Sequence, residues 1–160
     1  MNLDDFAFID AAGIDTDTAY RLIVGCVVPR PVAWITTVDE HGRVKDTARN
    51  IRATGEFVVN VATEATMETM HLTAQDFPPE LSETEHLGIA LLPSQRVKPP
   101  RIASTPVQME CRLDQVVVLG RGVNTLYIGE VVAFHLAHDI YDGKRVDSAP
   151  DSRWRIATVF

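Results

Sequence analysis

Cysteine is scarce in this chain, since only Cys26 and Cys111 occur among its 160 residues. Their separation excludes a CxxC zinc or redox motif, and they form no disulfide framework. No apolar run is long enough to span a bilayer, and no N-terminal apolar stretch ends in a small-residue cleavage site. We therefore expect two buried thiols in a cytoplasmic protein without a membrane segment or a secretory signal.

Several catalytic signatures are also missing. GxGxxG is absent, which argues against a dinucleotide domain of the Rossmann type. GxSxG is absent too, and neither cysteine has a local sign of activation, so a hydrolase is poorly supported. His135 and His138 point to opposite faces if their strand continues, and they cannot then converge on one metal ion. No metal site is expected.

Positive charge is in short supply. The net charge is −7 and the pI is near 5.1, which argues against a nucleic-acid partner. Residues 64–90 contain neither Lys nor Arg and are expected to form a solvated acidic face. Residues 21–60 hold six basic residues against four acidic ones, so any anion-binding site is expected there.

What is present predicts one domain over residues 1–160, mainly β with a few helices and arranged as a small barrel. "DTDTAYRLIVGCVV" has helical spacing, with Asp15 or Asp17 as the cap and an apolar face of Tyr20, Ile23, Val24 and Val27. "PRPVAWITTV" (29–38) and "FVVNVA" (57–62) favour strands. Between them, "KDTARNIRATGE" predicts a two-turn helix that Asp46 or Thr47 caps and Gly55 ends.

The clearest supersecondary signal is a hairpin. "VQMECRLDQVVVL" (107–119) and "TLYIGEVVAFHLA" (125–137) favour strands, and a glycine-containing connector of five residues joins them. Apolar residues at 107, 109, 111 and 113 alternate with Gln108, Glu110, Arg112 and Asp114, as in a sheet with one wet face. "TEATMETMHLTA" indicates a further capped helix, and "QDFPPELSETEHLG" a loop.

The triplet Lys45, Asp46 and Thr47 lies at the start of the predicted two-turn helix. Amides exposed at a helix start, with an ammonium beside them, suit a phosphate or another dianion. The same residues also fit an ordinary N-cap beside a solvated lysine, which is a routine arrangement at helix starts. The triplet does not decide between these interpretations by itself.

Four residues of the preceding strand have two interpretations as well. Thr36 and Thr37 direct one hydroxyl to each side of the sheet and could meet a planar polar ring, although threonines are also simply good strand formers. Trp34 could stack on an aromatic ligand or belong to the core. Arg30, between two prolines, could reach an anion or lie at the surface.

Four stretches together resemble the flavin reductase-like family, the FMN-binding split barrels. The resemblance extends from about Tyr20 to Asp147, and its first two stretches are fairly specific. Members of this family are typically homodimers that bind FMN near the subunit interface, and many are NAD(P)H-dependent flavin reductases or reductase components of monooxygenases. The stretches are "YRLIVGCVVPRPVAWITTVDEHGRV", "KDTARNIRATGEFVVNV", "QRVKPPRIASTPVQMECRL" and "TLYIGEVVAFH".

The resemblance implies specific roles for the candidate residues. Lys45, Asp46 and Thr47 would lie at the FMN phosphate, and Trp34, Thr36 and Thr37 along the flavin and ribityl chain, with Arg30 a weaker candidate. NAD(P)H would be the co-substrate. Because the flavin itself carries the redox chemistry, no catalytic side chain is expected.

One departure from the family lies between Val44 and Lys45. Relatives usually have a further segment with two strands here, beginning like Asn-Leu-Ala-Pro-Phe-Ser, whereas Val44 runs directly into Lys45. Either a segment has been left out of the sequence, or the deletion is natural and impairs FMN binding by exposing sheet edges. An intact mass of 17.7 kDa would exclude an omitted segment. The rival to an enzyme is a non-catalytic FMN-binding or dimerisation module with a truncated barrel.

Overall fold

The computed structural model describes residues 5–26, 33–38, 47–75, 77, 82–119 and 124–147. Two long strands dominate these residues, and the helices are short, so the predicted content of mainly β structure with a few helices is confirmed. Short 3₁₀ turns occur at Ala11–Gly13 and Glu64–Thr66. The strands are β1 (Phe6–Asp10), β2 (Ala33–Thr36), β3 (Glu56–Val61), β4 (Leu91–Leu92), β5 (Arg101–Ile102), β6 (Val107–Leu119) and β7 (Asn124–Ala137), and the helices are α1 (Thr16–Cys26), α2 (Thr47–Thr54), α3 (Met67–Leu72) and α4 (Glu83–His86).

Five strands form one antiparallel sheet in the order β1-β7-β6-β3-β2, and β4 and β5 form a separate ribbon. Over the described ranges the five-stranded sheet is open, with β1 and β2 at its edges. The segment expected to be missing from this chain would follow β2.

The predicted hairpin is confirmed almost residue for residue. β6 pairs with β7 from Val107 opposite Leu136 to Leu119 opposite Asn124. Register shifts at Glu110/Cys111 and Leu113/Gln115 interrupt the ladder. β3 covers β6 only as far as Arg112, so the outer half of the hairpin extends beyond its neighbouring strand.

Helix α1 begins as predicted but buries a different face. The backbone N–H of Thr18 donates to Asp15 Oδ1 at 2.6 Å, so Asp15 caps the helix. Leu22 and Cys26 are buried, whereas Tyr20 and Ile23, predicted to be buried, are 65% and 42% exposed. The Val24 side chain and the whole of Val27 lie outside the described residues. In the ranges described, no helix is long and apolar enough to cross a membrane.

The main core lies on one face of the sheet. There, side chains of β3, β6 and β7 pack against buried residues of helices α1 and α2. The strand residues are Phe57, Val61, Met109, Cys111 and Phe134. The helix residues are Leu22 and Cys26 from α1 and Ile51 from α2. Helix α2 ends at Gly55, which has a φ of 69°, as the sequence predicts.

The opposite face of β6 is not wet along its whole length. Arg112 and Asp114 are exposed as predicted, but Gln108 and Glu110 are both 0% exposed, so the prediction is wrong for these two residues. Residues 93–100, which connect β4 to β5 and which we call the strap, cover this part of the sheet. Alternation along β6 does not reveal the strap, because the strap comes from a different part of the chain.

Candidate functional site

The structure describes four of the seven predicted site residues. Trp34 and Thr36 belong to β2, Thr37 follows it directly, and Thr47 is the first residue of α2. Arg30, Lys45 and Asp46 lie outside the described residues. The site can therefore be built from two ends, the last residues of β2 and the first turn of α2.

A buried hydrogen bond brings these two ends together. The side-chain amide of Asn50 donates to Thr37 Oγ1 at 3.2 Å, and both residues are 1% exposed. Because Asn50 lies one turn into α2, this contact brings the start of the helix close to the end of the strand. Asn50 and Thr37 thus define a corner of the fold, which we call the β2–α2 corner.

Thr36 faces the other way and is held by the strap. Its hydroxyl donates to the carbonyl oxygen of Pro100 at 2.6 Å, and the amide of Asn60 donates to the same hydroxyl at 3.2 Å. The two threonine hydroxyls therefore diverge, as alternation along the strand predicts. Since the Thr36 proton is used within the protein, a ligand at this position would meet the backbone of β2.

Trp34 is buried, with 7% of its surface exposed. It lies opposite Asn60 in the β2–β3 pair, and its carbonyl oxygen accepts a hydrogen bond from Asn60 Nδ2 at 2.9 Å. The ring is thus part of the packed interior under the strap. With so little exposed surface, it offers little area for stacking on a ligand.

The strap is attached to the sheet by a buried carboxylate. Glu110 accepts hydrogen bonds from the backbone N–H groups of Gln95, Arg96 and Val97 at 2.9, 2.6 and 3.2 Å. His135 Nε2 lies 2.5 Å from Glu110 Oε1. One side chain therefore satisfies three consecutive strap amides.

The charge states in this network follow from burial and hydrogen bonding. Burial raises the pKa of Glu110, but hydrogen bonds from His135 and the backbone of Gln95 and Arg96 outweigh it and hold that pKa below its ordinary value. Burial lowers the pKa of His135 below 6.5, although its hydrogen bond to Glu110 opposes this. At pH 7 a neutral His135 therefore donates a hydrogen bond from its Nε2–H to an ionised Glu110.

Neither the two thiols nor His138 gives a sign of reactivity. Burial raises the pKa of Cys26 and of Cys111 to about 12, as expected for buried thiols. His138 lies in the exposed turn after β7, away from the buried His135. In the part of the chain that the structure describes, no three His, Cys, Asp or Glu residues are grouped so that they could hold a metal ion.

A cavity of about 510 Å³ lies elsewhere, between α1 and the β6–β7 hairpin. Ala19 and Ile23 line one side, and Arg112 and Glu130 line the other. None of Trp34, Thr36, Thr37 and Thr47 lines this cavity. The residues that line the cavity therefore do not connect it with the β2–α2 corner.

The chain matches a known protein family over more than half of its length. The model of the flavin reductase like domain matches residues 41–149. The chain belongs to the flavin reductase-like family. The matched range includes α2 and the strap, and β2 lies before this range.

Individual relatives agree with this assignment. An uncharacterized protein of Halalkalibacterium halodurans is 31% identical over 163 positions, which cover 81% of this chain and 78% of the relative. Nitrilotriacetate monooxygenase component B from Bacillus cereus is 28% identical, with a TM-score of 0.69 over 88% of this chain and 86% of that one.

The split-barrel fold predicted from the sequence is confirmed. A split-barrel protein of Shewanella frigidimarina superposes with a TM-score of 0.67 over 85% of this chain and 82% of that one. At 17% identity, this likeness concerns the fold alone. In the described residues the barrel sheet of the present chain is not closed.

The alignment with the H. halodurans relative also bears on the departure between Val44 and Lys45. About 130 of the 160 residues of this chain are aligned, yet the alignment extends over 163 positions. About 30 of those positions therefore have no counterpart in this chain. A shortfall of this size is consistent with the absence of a two-stranded segment.

Asn50 and Asn60, the two buried amides beside the candidate residues, were not among the predicted site residues. Asn60 stands within the apolar run "FVVNVA", and a polar residue in a buried strand requires a hydrogen-bonding partner. That signal was available. Asn50 gave no such signal, because an asparagine in a short polar helix is expected to be exposed.

Proposed function

We propose that this flavin reductase-like protein binds FMN at the β2–α2 corner and reduces it with NAD(P)H. The observation that carries the proposal is the 3.2 Å contact between Asn50 and Thr37. It brings the end of the segment 34–37 close to the first turn of α2, which begins at Thr47. The family resemblance assigns residues 34–37 and Thr47 to different parts of the same cofactor.

The donor groups available at this corner fit a flavin mononucleotide. Helix α2 begins at Thr47, and the first amides of a helix have no partner within it, so they can bind a phosphate. Lys45 would add an ammonium next to these amides. The edge backbone of β2 would meet the polar rim of the flavin ring, and Thr37 would be held in place by Asn50.

In this proposal the protein binds and orients the cofactor. Bound FMN would accept hydride from NAD(P)H and supply electrons to an acceptor. No described side chain at the corner is an unpaired acid or base, which fits a role in positioning. The resemblance to a monooxygenase component B supports the reductase component of a two-component monooxygenase as the physiological role.

We further propose that the protein is a cytoplasmic homodimer. The outer half of the β6–β7 hairpin carries exposed apolar residues on both of its faces, with Val118 at 59% and Leu126 at 49% exposed. Such a projecting hairpin would bury apolar surface when it packs against a second copy. Two free buried cysteines suit a reducing compartment.

The purified protein tests the proposal directly. A yellow preparation, or one that binds added FMN and then oxidises NADH or NADPH, supports it. FMN at 100 times its dissociation constant should stabilise the folded protein by about 2.7 kcal/mol. A colourless protein that gains no stability from FMN contradicts it.

A non-catalytic module is the second candidate. The alignment shortfall and the edge position of β2 favour it, since a chain without two barrel strands could lose part of its flavin pocket. This module would bind FMN or dimerise without turnover. FMN-dependent NAD(P)H oxidation separates the two candidates.

A further inference from the structure

Asn60 makes three hydrogen bonds at the centre of a buried contact between β2, β3 and the ribbon. It donates to the Trp34 carbonyl at 2.9 Å and to Thr36 Oγ1 at 3.2 Å. Its Oδ1 accepts from the backbone N–H of Ile102 at 2.9 Å. Asn60 is 0% exposed, so it cannot itself touch a ligand.

The direction of each of these bonds is fixed by its neighbours. The Thr36 hydroxyl has one proton, which it donates to Pro100, so it can only accept from Asn60. Ile102 offers an N–H, which requires the oxygen of the Asn60 amide on that side. The Asn60 amide therefore has one satisfied orientation.

The strap makes this arrangement rigid. Glu110 binds three of its amides, and Ser94 Oγ donates to the Pro99 carbonyl at 2.5 Å. Pro100, which accepts from Thr36, directly follows these attached residues of the strap. The end of β2 gains two attachments beyond its ladder with β3, one to the strap and one to Asn60.

We propose that Asn60 is a positioning residue for the cofactor, which acts by fixing the last residues of β2 at the β2–α2 corner. This inference rests on the proposed FMN function. β2 has only four residues and lies at a sheet edge, so its ladder alone leaves its end free to move. Without Asn60, FMN binding would have to order that end at a cost in affinity.

The test compares the FMN affinity of folded full-length variants. We expect Asn60→Ala to raise the FMN dissociation constant about tenfold, because the free site is no longer pre-organised. The visible circular dichroism of bound flavin should change too, which a loss of stability alone would not cause. Thr73→Ala is the matched control, since it removes one side-chain hydrogen bond, to the Met70 carbonyl, that involves neither Asn60, β2 nor the strap. It should leave the dissociation constant within about twofold of wild type.

A second pair of variants covers the case in which Asn60→Ala does not fold. Thr36→Val keeps the side-chain shape but removes both hydrogen bonds, whereas Thr36→Ser keeps the hydroxyl. We expect weaker FMN binding for Thr36→Val and wild-type binding for Thr36→Ser.

The outcomes distinguish a failure of the positioning role from a failure of the proposed FMN function. Wild-type protein that does not bind FMN overturns the proposed function. Wild-type binding together with unchanged affinity in folded Asn60→Ala, or equal affinity in Thr36→Val and Thr36→Ser, overturns the positioning role alone.

Discussion

The ring of Phe57 lies directly against the backbone of Gly129. A Cβ atom at position 129 would lie 2.4 Å from Phe57 Cζ and 3.3 Å from the carbonyl oxygen of Arg112. Phe57 is 6% exposed and belongs to the main core, so its ring cannot move away freely. The long hairpin thus meets β3 at a point where a side chain on β7 is excluded.

Gly129→Ala is therefore expected to destabilise the fold by about 1–3 kcal/mol, the usual cost of overpacking a core. Urea unfolding measures the loss. Gly13→Ala is the control, since a Cβ at Gly13 has no atom within 4 Å and should change stability little. Phe57→Leu in the Gly129→Ala background should recover part of the loss. Equal stability of Gly129→Ala and Gly13→Ala would contradict the packing.

The protein should become less stable as the pH is lowered, and part of this loss should depend on His135. Because the folded-state pKa of His135 is lowered, its contribution to stability is complete at pH values above 6.5, the ordinary pKa of histidine. As pH falls below that value the unfolded chain binds a proton that the folded protein rejects, so stability falls by at most about 1.4 kcal/mol per pH unit. The lowered pKa of Glu110 acts in the same direction below about 4.5.

His135→Gln isolates the first of these effects. Glutamine cannot be protonated in this range but can still donate to Glu110, so the loss of stability just below pH 6.5 should shrink. His138→Gln, in the exposed turn, should keep the wild-type profile. Urea unfolding across this pH range measures both, and parallel profiles for wild type and His135→Gln would exclude a neutral folded His135.

Lys45→Ala should weaken FMN more than riboflavin, because only FMN presents a phosphate to the start of α2. We expect about a tenfold loss for FMN and little change for riboflavin. Flavin fluorescence titrations give both dissociation constants. Lys144→Ala removes an equal charge in an exposed turn and should leave both unchanged. Equal losses for FMN and riboflavin would remove Lys45 from the phosphate site.

Leu126→Glu should weaken self-association, since it puts a charge into the apolar surface of the projecting hairpin. Analytical ultracentrifugation should give twice the 17.7 kDa chain mass for wild type and more monomer for the variant. Leu72→Glu alters an exposed apolar residue of α3 and should remain dimeric. A wild-type monomer, or a fully dimeric Leu126→Glu variant, would argue against this interface.

Elements whose signals are local were predicted well. The bounds of β6 and β7 follow from runs of strand-favouring residues and a glycine-containing connector, and the end of α2 follows from Gly55. β1 was missed, because "FAFID" is short and its partner β7 lies more than 120 residues away in the sequence.

Features that depend on distant segments could not be read in this way. Gln108 and Glu110 look solvent-facing in their own strand, and only the strap explains their burial. In the candidate site, the hydroxyls of Thr36 and Thr37 were correctly expected to diverge. The partners that hold them, Pro100 and Asn50, come from other elements and carry no mark in the strand itself.

The burial of Cys26 and Cys111 has a consequence for the flavin reduction that we propose for this protein. Free reduced flavin reacts with dioxygen to give hydrogen peroxide, which oxidises thiolates rather than thiols. Burial raises the pKa of both thiols to about 12, so they stay protonated at neutral pH. The sulfur atoms of the core are thus shielded from the by-product of the reaction proposed for this fold.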